Sequence, residues 1–172
     1  MPMNMNLPKA LRLARSALTV LFTAAVLFAA NRGAAAATPF DVLNGNWEGG
    51  GSLSFENGQS EKLGCSGYYK SSDGGNSLSI VIKCTGPQSK LELRTKLDYA
   101  GGKVSGSWEE RTYNASGSAS GAATPNSLNL QFSGGLQGNM SIAFSPSSQS
   151  VSVSVSTSGA GLKGAHVSLS RR

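Results

Sequence analysis

Apolar and polar residues alternate with a period of two along most of this chain from residue 45 onward. In the clearest case, residues 90–99, leucines, a threonine and a tyrosine alternate with charged residues of both signs. This period is typical of a β-strand with one buried face and one solvated face. Short turns rich in Gly, Asn, Asp and Pro separate the strands, and we predict no helix beyond the N-terminal leader.

Short turns between consecutive strands predict an antiparallel up-and-down meander of about ten strands. A meander of this length with one apolar face has to close or fold over itself to bury that face. We therefore predict an all-β fold in which the meander closes into a barrel, since closure also removes the exposed edge strands. A strongly bent open barrel and a two-sheet sandwich are the alternatives.

The two cysteines agree with this strand register. A two-residue hairpin loop at Gly74-Gly75 places Cys65 directly opposite Cys84 on neighbouring strands, and alternation points both inward. Cross-strand neighbours are close enough for a disulfide. We predict a structural Cys65–Cys84 bridge, which stabilises the fold by about 3 kcal/mol in the chain-entropy model.

The N-terminal segment has the layout of a secretory signal peptide. Basic residues precede an apolar run over 17–30, and four alanines at 34–37 supply small cleavage positions. The apolar run is shorter than the roughly 20 residues that a membrane-spanning helix needs. We predict that 1–37 is a helical signal peptide and that 38–172 is one exported domain, periplasmic or secreted, without a transmembrane segment.

The net charge of +6 belongs largely to this leader. Fifteen basic residues less the four in the leader leave eleven, against nine acidic residues that all follow it. The mature domain therefore carries a net charge of +2, which does not indicate nucleic-acid binding.

The residue types needed for catalysis do not converge in this sequence. The one histidine, His166, shares a predicted outward face with Ser168 and Ser170, so it cannot activate an inward nucleophile. Glycosidase chemistry needs two facing carboxylates, and alternation points only Glu110 inward. Metal sites need clusters of His, Cys or carboxylates, which we do not find in the sequence. We predict a protein that is not an enzyme and holds no metal or cofactor.

Alternation places several large side chains inside the barrel. A neighbouring segment, 114–123, consists mainly of Ala, Gly and Ser and leaves room inside for a large neighbour or a cavity. We predict a monomer that binds a small, mostly apolar ligand, with Glu110 as polar anchor. The alternative is that the aromatic residues fill the core and Glu110 lies at a wetted rim. The candidate ligand-binding residues are Trp47, Tyr69, Trp108, Glu110 and Met140.

The tripeptide Gly45-Asn46-Trp47 at the start of the first strand resembles the calycin group of barrels, which includes lipocalins, avidins, fatty-acid-binding proteins and nitrobindins. In lipocalins a basic residue late in the chain covers this tryptophan, a role that the resemblance gives to Arg171 or Lys163. The chain as a whole resembles small exported bacterial proteins with this first-strand pattern and a Cys pair. Nitrobindins hold haem on a last-strand histidine, but the predicted outward direction of His166 argues against haem.

A second resemblance concerns the arm before the first strand. Leu43-Asn44-Gly45-Asn46-Trp47 is similar to the first strand of bacterial inhibitors of secreted metalloproteases, small periplasmic barrels that act through their N-terminal segment. This resemblance implies a protein-binding module, such as a protease inhibitor or envelope factor, in which Thr38 to Leu43 contacts the partner. The alternative is a purely structural role for the same arm, in which Phe40 and Leu43 plug one end of the barrel.

Overall fold

In the computed structural model, which describes residues 38–157, 159 and 161–172, a short helix precedes ten β-strands. The predicted signal peptide, 1–37, lies outside these residues. Helix α1 spans Pro39–Leu43, and a 3₁₀ turn spans Asp73–Gly75. No helix in this described part is long and apolar enough to cross a membrane. The strands are β1 (Gly45–Phe55), β2 (Ser60–Ser72), β3 (Ser77–Thr85), β4 (Lys90–Ala100), β5 (Lys103–Glu110), β6 (Ala115–Thr124), β7 (Ser127–Gly134), β8 (Gly138–Phe144), β9 (Ser148–Val155) and β10 (Leu162–Arg171).

The ten strands form one closed antiparallel barrel. Each strand pairs with its neighbours in sequence, and β10 pairs with β1 to complete the ring. This confirms the predicted closed barrel over the open barrel and the sandwich. In β2 and β3, Cys65 lies opposite Cys84 as predicted, and the two residues form a disulfide across a Cα–Cα distance of 4.1 Å. That spacing is somewhat shorter than the roughly 4.5 Å of a non-hydrogen-bonded antiparallel pair. The predicted two-residue loop at Gly74-Gly75 is wrong, because β2 and β3 pair only as far as Ser72 and Ser77 and the connection is a four-residue turn, but the register is the same.

The segment before β1 is helical, so the prediction of no helix after the leader is wrong here. Pro39 starts α1, where its missing N–H does not interrupt a helical hydrogen bond. Phe40 and Leu43 point from the helix into the barrel and are fully buried. Five residues are too few to show a helical period in the sequence, and burial of these two side chains stabilises the helix instead.

Two glycines show why the strands can curve into a barrel. A Cβ on Gly51 would overlap the backbone carbonyl of His166 on β10, and one on Gly117 would overlap that of Ser133 on β7. Neighbouring strands therefore approach where a side chain would otherwise stand, as at the tight bends of barrels. The alternating glycines of β1 and β6 are positions of close strand approach.

The two ends of the barrel differ. At one end, which we call the closed end, helix α1 covers the interior, and the strands begin or end near the 73–76, 101–102 and 125–126 turns. At the other, which we call the open end, the hairpins at 56–59, 86–89 and 111–114 surround an opening to the interior. This asymmetry sets the position of the candidate site.

Candidate functional site

A cavity of about 160 Å³ occupies the open half of the barrel. Its lining comes from inward positions of all ten strands and is almost wholly apolar. Alternation in the sequence predicts which residues face it, because successive side chains of a strand point to opposite faces. Among the aliphatic residues that line it are Leu53, Leu63, Ile82, Leu91, Val151 and Val167.

Two aromatic rings form one wall of the cavity. Trp108 and Phe132 pack edge to face, with ring centroids 5.9 Å apart and an interplanar angle of 76°. The Trp108 Nε1–H donates to the Ser133 carbonyl at 3.2 Å, so its one polar atom is satisfied within the wall. Gly117 lies opposite Trp108 on β6 and allows β7 to approach closely enough for this bond. Met140 adds a flexible side chain to the lining.

Glu110 lies at the rim of the cavity, and its carboxylate is already engaged. One oxygen accepts the backbone N–H of Glu92 at 2.7 Å, and the other accepts that of Tyr113 at 2.7 Å. Hydrogen bonds between a carboxylate and backbone N–H groups are charge-assisted and strong. Glu110 therefore fixes the β5–β6 loop at the mouth, and it also borders the cavity.

Thr95, on β4, is the polar lining residue that the sequence reasoning did not single out. It lies opposite Trp108, one inward position deeper than Leu93 and Glu110, and it is 8% exposed. Its Oγ1 has no hydrogen-bond partner among the described residues. Leaving a buried hydroxyl unsatisfied costs about 1–3 kcal/mol. Its place in an amphipathic strand was readable from the sequence, whereas its missing partner was not.

Trp47 and Tyr69 are buried at the closed end and do not line the cavity. Their rings pack edge to face at 6.2 Å, and the Trp47 Nε1–H donates to the Leu43 carbonyl of α1 at 2.8 Å. The Tyr69 hydroxyl donates to Oε1 of buried Gln149 at 2.9 Å, and burial raises the pKa of Tyr69. Of the five candidate ligand-binding residues, the structure thus brings Trp108, Glu110 and Met140 to the cavity.

Arg171 covers Trp47 from outside, with its guanidinium carbon 4.3 Å from the ring centroid. The guanidinium also donates to the backbone carbonyls of Val42, Asn44 and Pro146. It therefore joins α1, β1 and the β8–β9 turn at the closed end. Of the two basic residues that the resemblance offered for this position, Arg171 occupies it.

The N-terminal arm is held by its own polar contacts as well as by Phe40 and Leu43. The Thr38 hydroxyl donates to the Gly75 carbonyl at 2.8 Å, and the Ser71 hydroxyl donates to Asp41 at 2.7 Å. The bond from Ser71 lowers the pKa of the Asp41 carboxyl. The arm therefore closes one end of the barrel, which is the structural role that the sequence offered as the alternative to partner binding.

Other chemistry is sparse in the described ranges. Within 38–157, 159 and 161–172, no group of three His, Cys, Asp or Glu side chains is arranged to hold a metal ion. His166 is exposed on the outer face, as predicted, with Nδ1 3.1 Å from the Ser152 hydroxyl. Both cysteines are in the disulfide, and Cys84 borders the cavity.

No protein-family model matches the sequence, and no curated protein matches it either. Among solved structures, the chain is similar to Rv2717c from M. tuberculosis, with a TM-score of 0.63 and 14% identity, over 76% of this chain and 93% of that one. It is also similar to the S-type phycobiliprotein lyase CPES from Guillardia theta, with a TM-score of 0.54 and 14% identity, over 77% of this chain and 89% of that one. At this identity the comparisons show the fold, a calycin-like β-barrel.

Proposed function

We propose that this protein is an exported β-barrel that binds a small, mostly apolar molecule without transforming it. The observation that carries the proposal is the cavity of about 160 Å³ in the open half of the barrel, lined almost wholly by apolar side chains. Concave apolar sites with a few placed polar groups are the usual form of small-molecule sites. The candidate contacts are Trp108, Met140 and Glu110, with Phe132 and Thr95 added from the structure.

The volume of the cavity limits the size of the ligand. Pockets for drug-sized ligands measure about 300–1,000 Å³, whereas an engineered apolar cavity of about 150 Å³ in another protein takes up benzene. A cavity of 160 Å³ therefore fits one ring or a short branched chain. Fatty acids and extended tetrapyrroles are too large for it in this conformation.

The disulfide supports export. Disulfides persist in oxidising compartments and are rare in the reducing cytosol. The buried Cys65–Cys84 bridge is therefore compatible with a domain that works in the periplasm or outside the cell, after removal of residues 1–37.

The alternative function, a protein-binding module that acts through the N-terminal arm, draws no support from the contacts of the arm. Phe40 and Leu43 are fully buried, and Arg171 binds the carbonyls of Val42 and Asn44. An inhibitor that inserted this arm into a protease would first have to remove it from its own core. We therefore favour the cavity.

The test is binding of toluene, benzene and palmitate to the exported protein, measured by ligand-observed NMR and by the shift of the melting temperature. We expect the single-ring probes to bind and palmitate to bind far more weakly. A ligand at about 100 times its Kd stabilises the fold by about 2.7 kcal/mol, which thermal denaturation detects.

A variant that fills the cavity makes the test specific to this site. Ala165 on β10 lines the cavity, whereas Ala143 on β8 is exposed on the outer face. Ala165→Leu should abolish binding of the single-ring probes, and Ala143→Leu should leave it unchanged. If none of the probes binds the wild-type protein, and native mass spectrometry of the exported protein finds no bound molecule, the proposal is wrong.

A further inference from the structure

The polar groups that border the cavity differ in how well they are satisfied. The Trp108 indole N–H donates within the wall, and both oxygens of Glu110 accept backbone N–H groups. Cys84 is in the disulfide. Thr95 alone among the lining residues that the structure describes has a side-chain hydroxyl buried without a partner.

The surroundings of Thr95 do not explain why its hydroxyl is there. Its cross-strand neighbours are Ile80 and Trp108, and the next inward positions of its own strand are Leu93 and Leu97. Valine has the same shape as threonine and would leave no unsatisfied group in this apolar setting. Buried unsatisfied groups are rare in native proteins, and each one calls for an explanation, such as a partner that binds there.

We infer that Thr95 is a specificity-determining residue of the cavity and that the ligand is a neutral, single-ring molecule with one hydroxyl or carbonyl group. The inference rests on the proposed function and adds the chemical class of the ligand. A threonine hydroxyl both donates and accepts, so it pairs with either group. The hydroxyl is buried in the cavity wall, so in this proposal it reaches the ligand by a rotation of about 120° around χ1, which moves it to another of the three staggered positions.

The walls also exclude a charged ligand at this depth. The side chains around Thr95 are aliphatic or aromatic, and a bare ion buried among them would lack compensation. The one carboxylate among the lining residues that the structure describes is that of Glu110, at the rim, and its oxygens accept backbone N–H groups of β4 and of the β5–β6 loop. A ligand with its polar group at Thr95 and its ring against Trp108 and Phe132 satisfies the hydroxyl and buries the apolar surface of the ring.

The test compares phenol with toluene, which have nearly the same shape and differ in the hydroxyl. The Kd of each is measured by NMR titration for the wild-type protein, for Thr95→Val and for Thr85→Val. Thr85→Val is the matched control, because it makes the same substitution at an exposed position of β3. In Thr95→Val, we expect the preference for phenol over toluene to fall by about five- to tenfold, the effect of one hydrogen bond. In Thr85→Val the ratio should match the wild type.

The outcomes separate the two proposals. If phenol and toluene both bind, but Thr95→Val leaves their ratio unchanged, the role of Thr95 is refuted and the apolar cavity site stands. If neither probe binds the wild-type protein, both proposals fail. Intermolecular NOEs between phenol and the Thr95 methyl group in the wild-type protein give a readout that does not depend on a folded variant. With phenol bound, absence of those NOEs would refute the contact.

Discussion

The closed end of the barrel depends on Arg171, and replacing it should lower the stability of the fold. The guanidinium donates to three backbone carbonyls and lies 4.3 Å from the centroid of the Trp47 ring. Each hydrogen bond contributes about 0.5–1.5 kcal/mol net, and a cation–π contact at an exposed site contributes about 0.5–1 kcal/mol. Because Arg171 is exposed, the low end of each range applies. We expect Arg171→Ala to cost about 2 kcal/mol.

Equilibrium unfolding in urea, followed by far-UV circular dichroism, measures this change without relying on Trp47 fluorescence. Arg171→Lys should recover less than half of the loss, because an ammonium group cannot reproduce the planar fork that reaches three carbonyls. Lys163→Ala is the matched control. Lys163 lies near the start of β10, and its side chain makes no hydrogen bond or salt bridge with the residues that the structure describes.

We expect Lys163→Ala to change the free energy of unfolding by less than about 0.5 kcal/mol, as most surface substitutions do. The m-value should stay constant across the series, which shows that the denatured state is unaffected. Equal losses in Arg171→Ala and Lys163→Ala would show that the contacts of Arg171 do not stabilise the closed end, and the reasoning would be refuted.

Three further predictions concern the barrel wall, the disulfide and the arm. Gly117→Ala should destabilise the fold by about 1–3 kcal/mol through overlap with β7, whereas Gly64→Ala, which meets open space, should be neutral or stabilising in the same urea assay. Replacing Cys65 and Cys84 together with alanine should cost about 3 kcal/mol; equal stability of the reduced and oxidised wild type would contradict this. The pKa of Asp41 lies below its ordinary value of 3.8, because of a serine hydroxyl bond from β2. Its stabilisation is therefore complete above pH 3.8 and is lost as the pH falls through the folded value. Asp41→Asn should make the melting temperature depend less on pH below about pH 4. If the melting temperature of the variant falls with pH as steeply as that of the wild type, this role of Asp41 is refuted.

The closed barrel and its register could be predicted because they depend on local signals. Turn residues fix hairpin lengths, and a one-residue slip would move a whole inward face outward. The pairing of Cys65 with Cys84 follows from one glycine-rich turn and from alternation. Helix α1 escaped prediction, since its five residues owe their structure to burial against the barrel rather than to a pattern along the chain.

The strand register decides which of the two basic residues, Arg171 or Lys163, covers Trp47. The two residues lie eight positions apart on one strand, which corresponds to about 26 Å. Once β10 is known to pair with β1, Trp47 lies opposite Arg171, and Lys163 falls at the far end of the strand. The resemblance offered both residues, and strand pairing selects one of them.

The cavity and the unpaired hydroxyl of Thr95 could not be predicted from the sequence. The first depends on how completely the side chains fill the barrel, and the second depends on the absence of a hydrogen-bond partner nearby. Alternation shows that Trp108, Met140 and Glu110 point inward, but a strand pattern does not show how completely ten strands fill the interior. Alternation likewise places Thr95 inside without showing that its neighbours offer no acceptor. Trp47 and Tyr69 share the same inward parity, and the covering of one end by α1 separates them from the cavity.

The distribution of stabilising contacts also explains how the barrel can keep a cavity. At about 24 cal/mol per Å³ of cavity volume, a void of 160 Å³ costs about 4 kcal/mol relative to a filled core. The disulfide in the cavity wall offsets about 3 kcal/mol of this, and the contacts of α1 and Arg171 hold the opposite end. A side chain that fills the cavity should therefore stabilise the fold. Ala165→Leu is expected to raise the free energy of unfolding and to abolish binding. The gain in stability shows that the cavity is costly, and the loss of binding shows that it is the ligand site. A variant that lost binding and stability together would instead indicate that the added side chain disrupts the barrel.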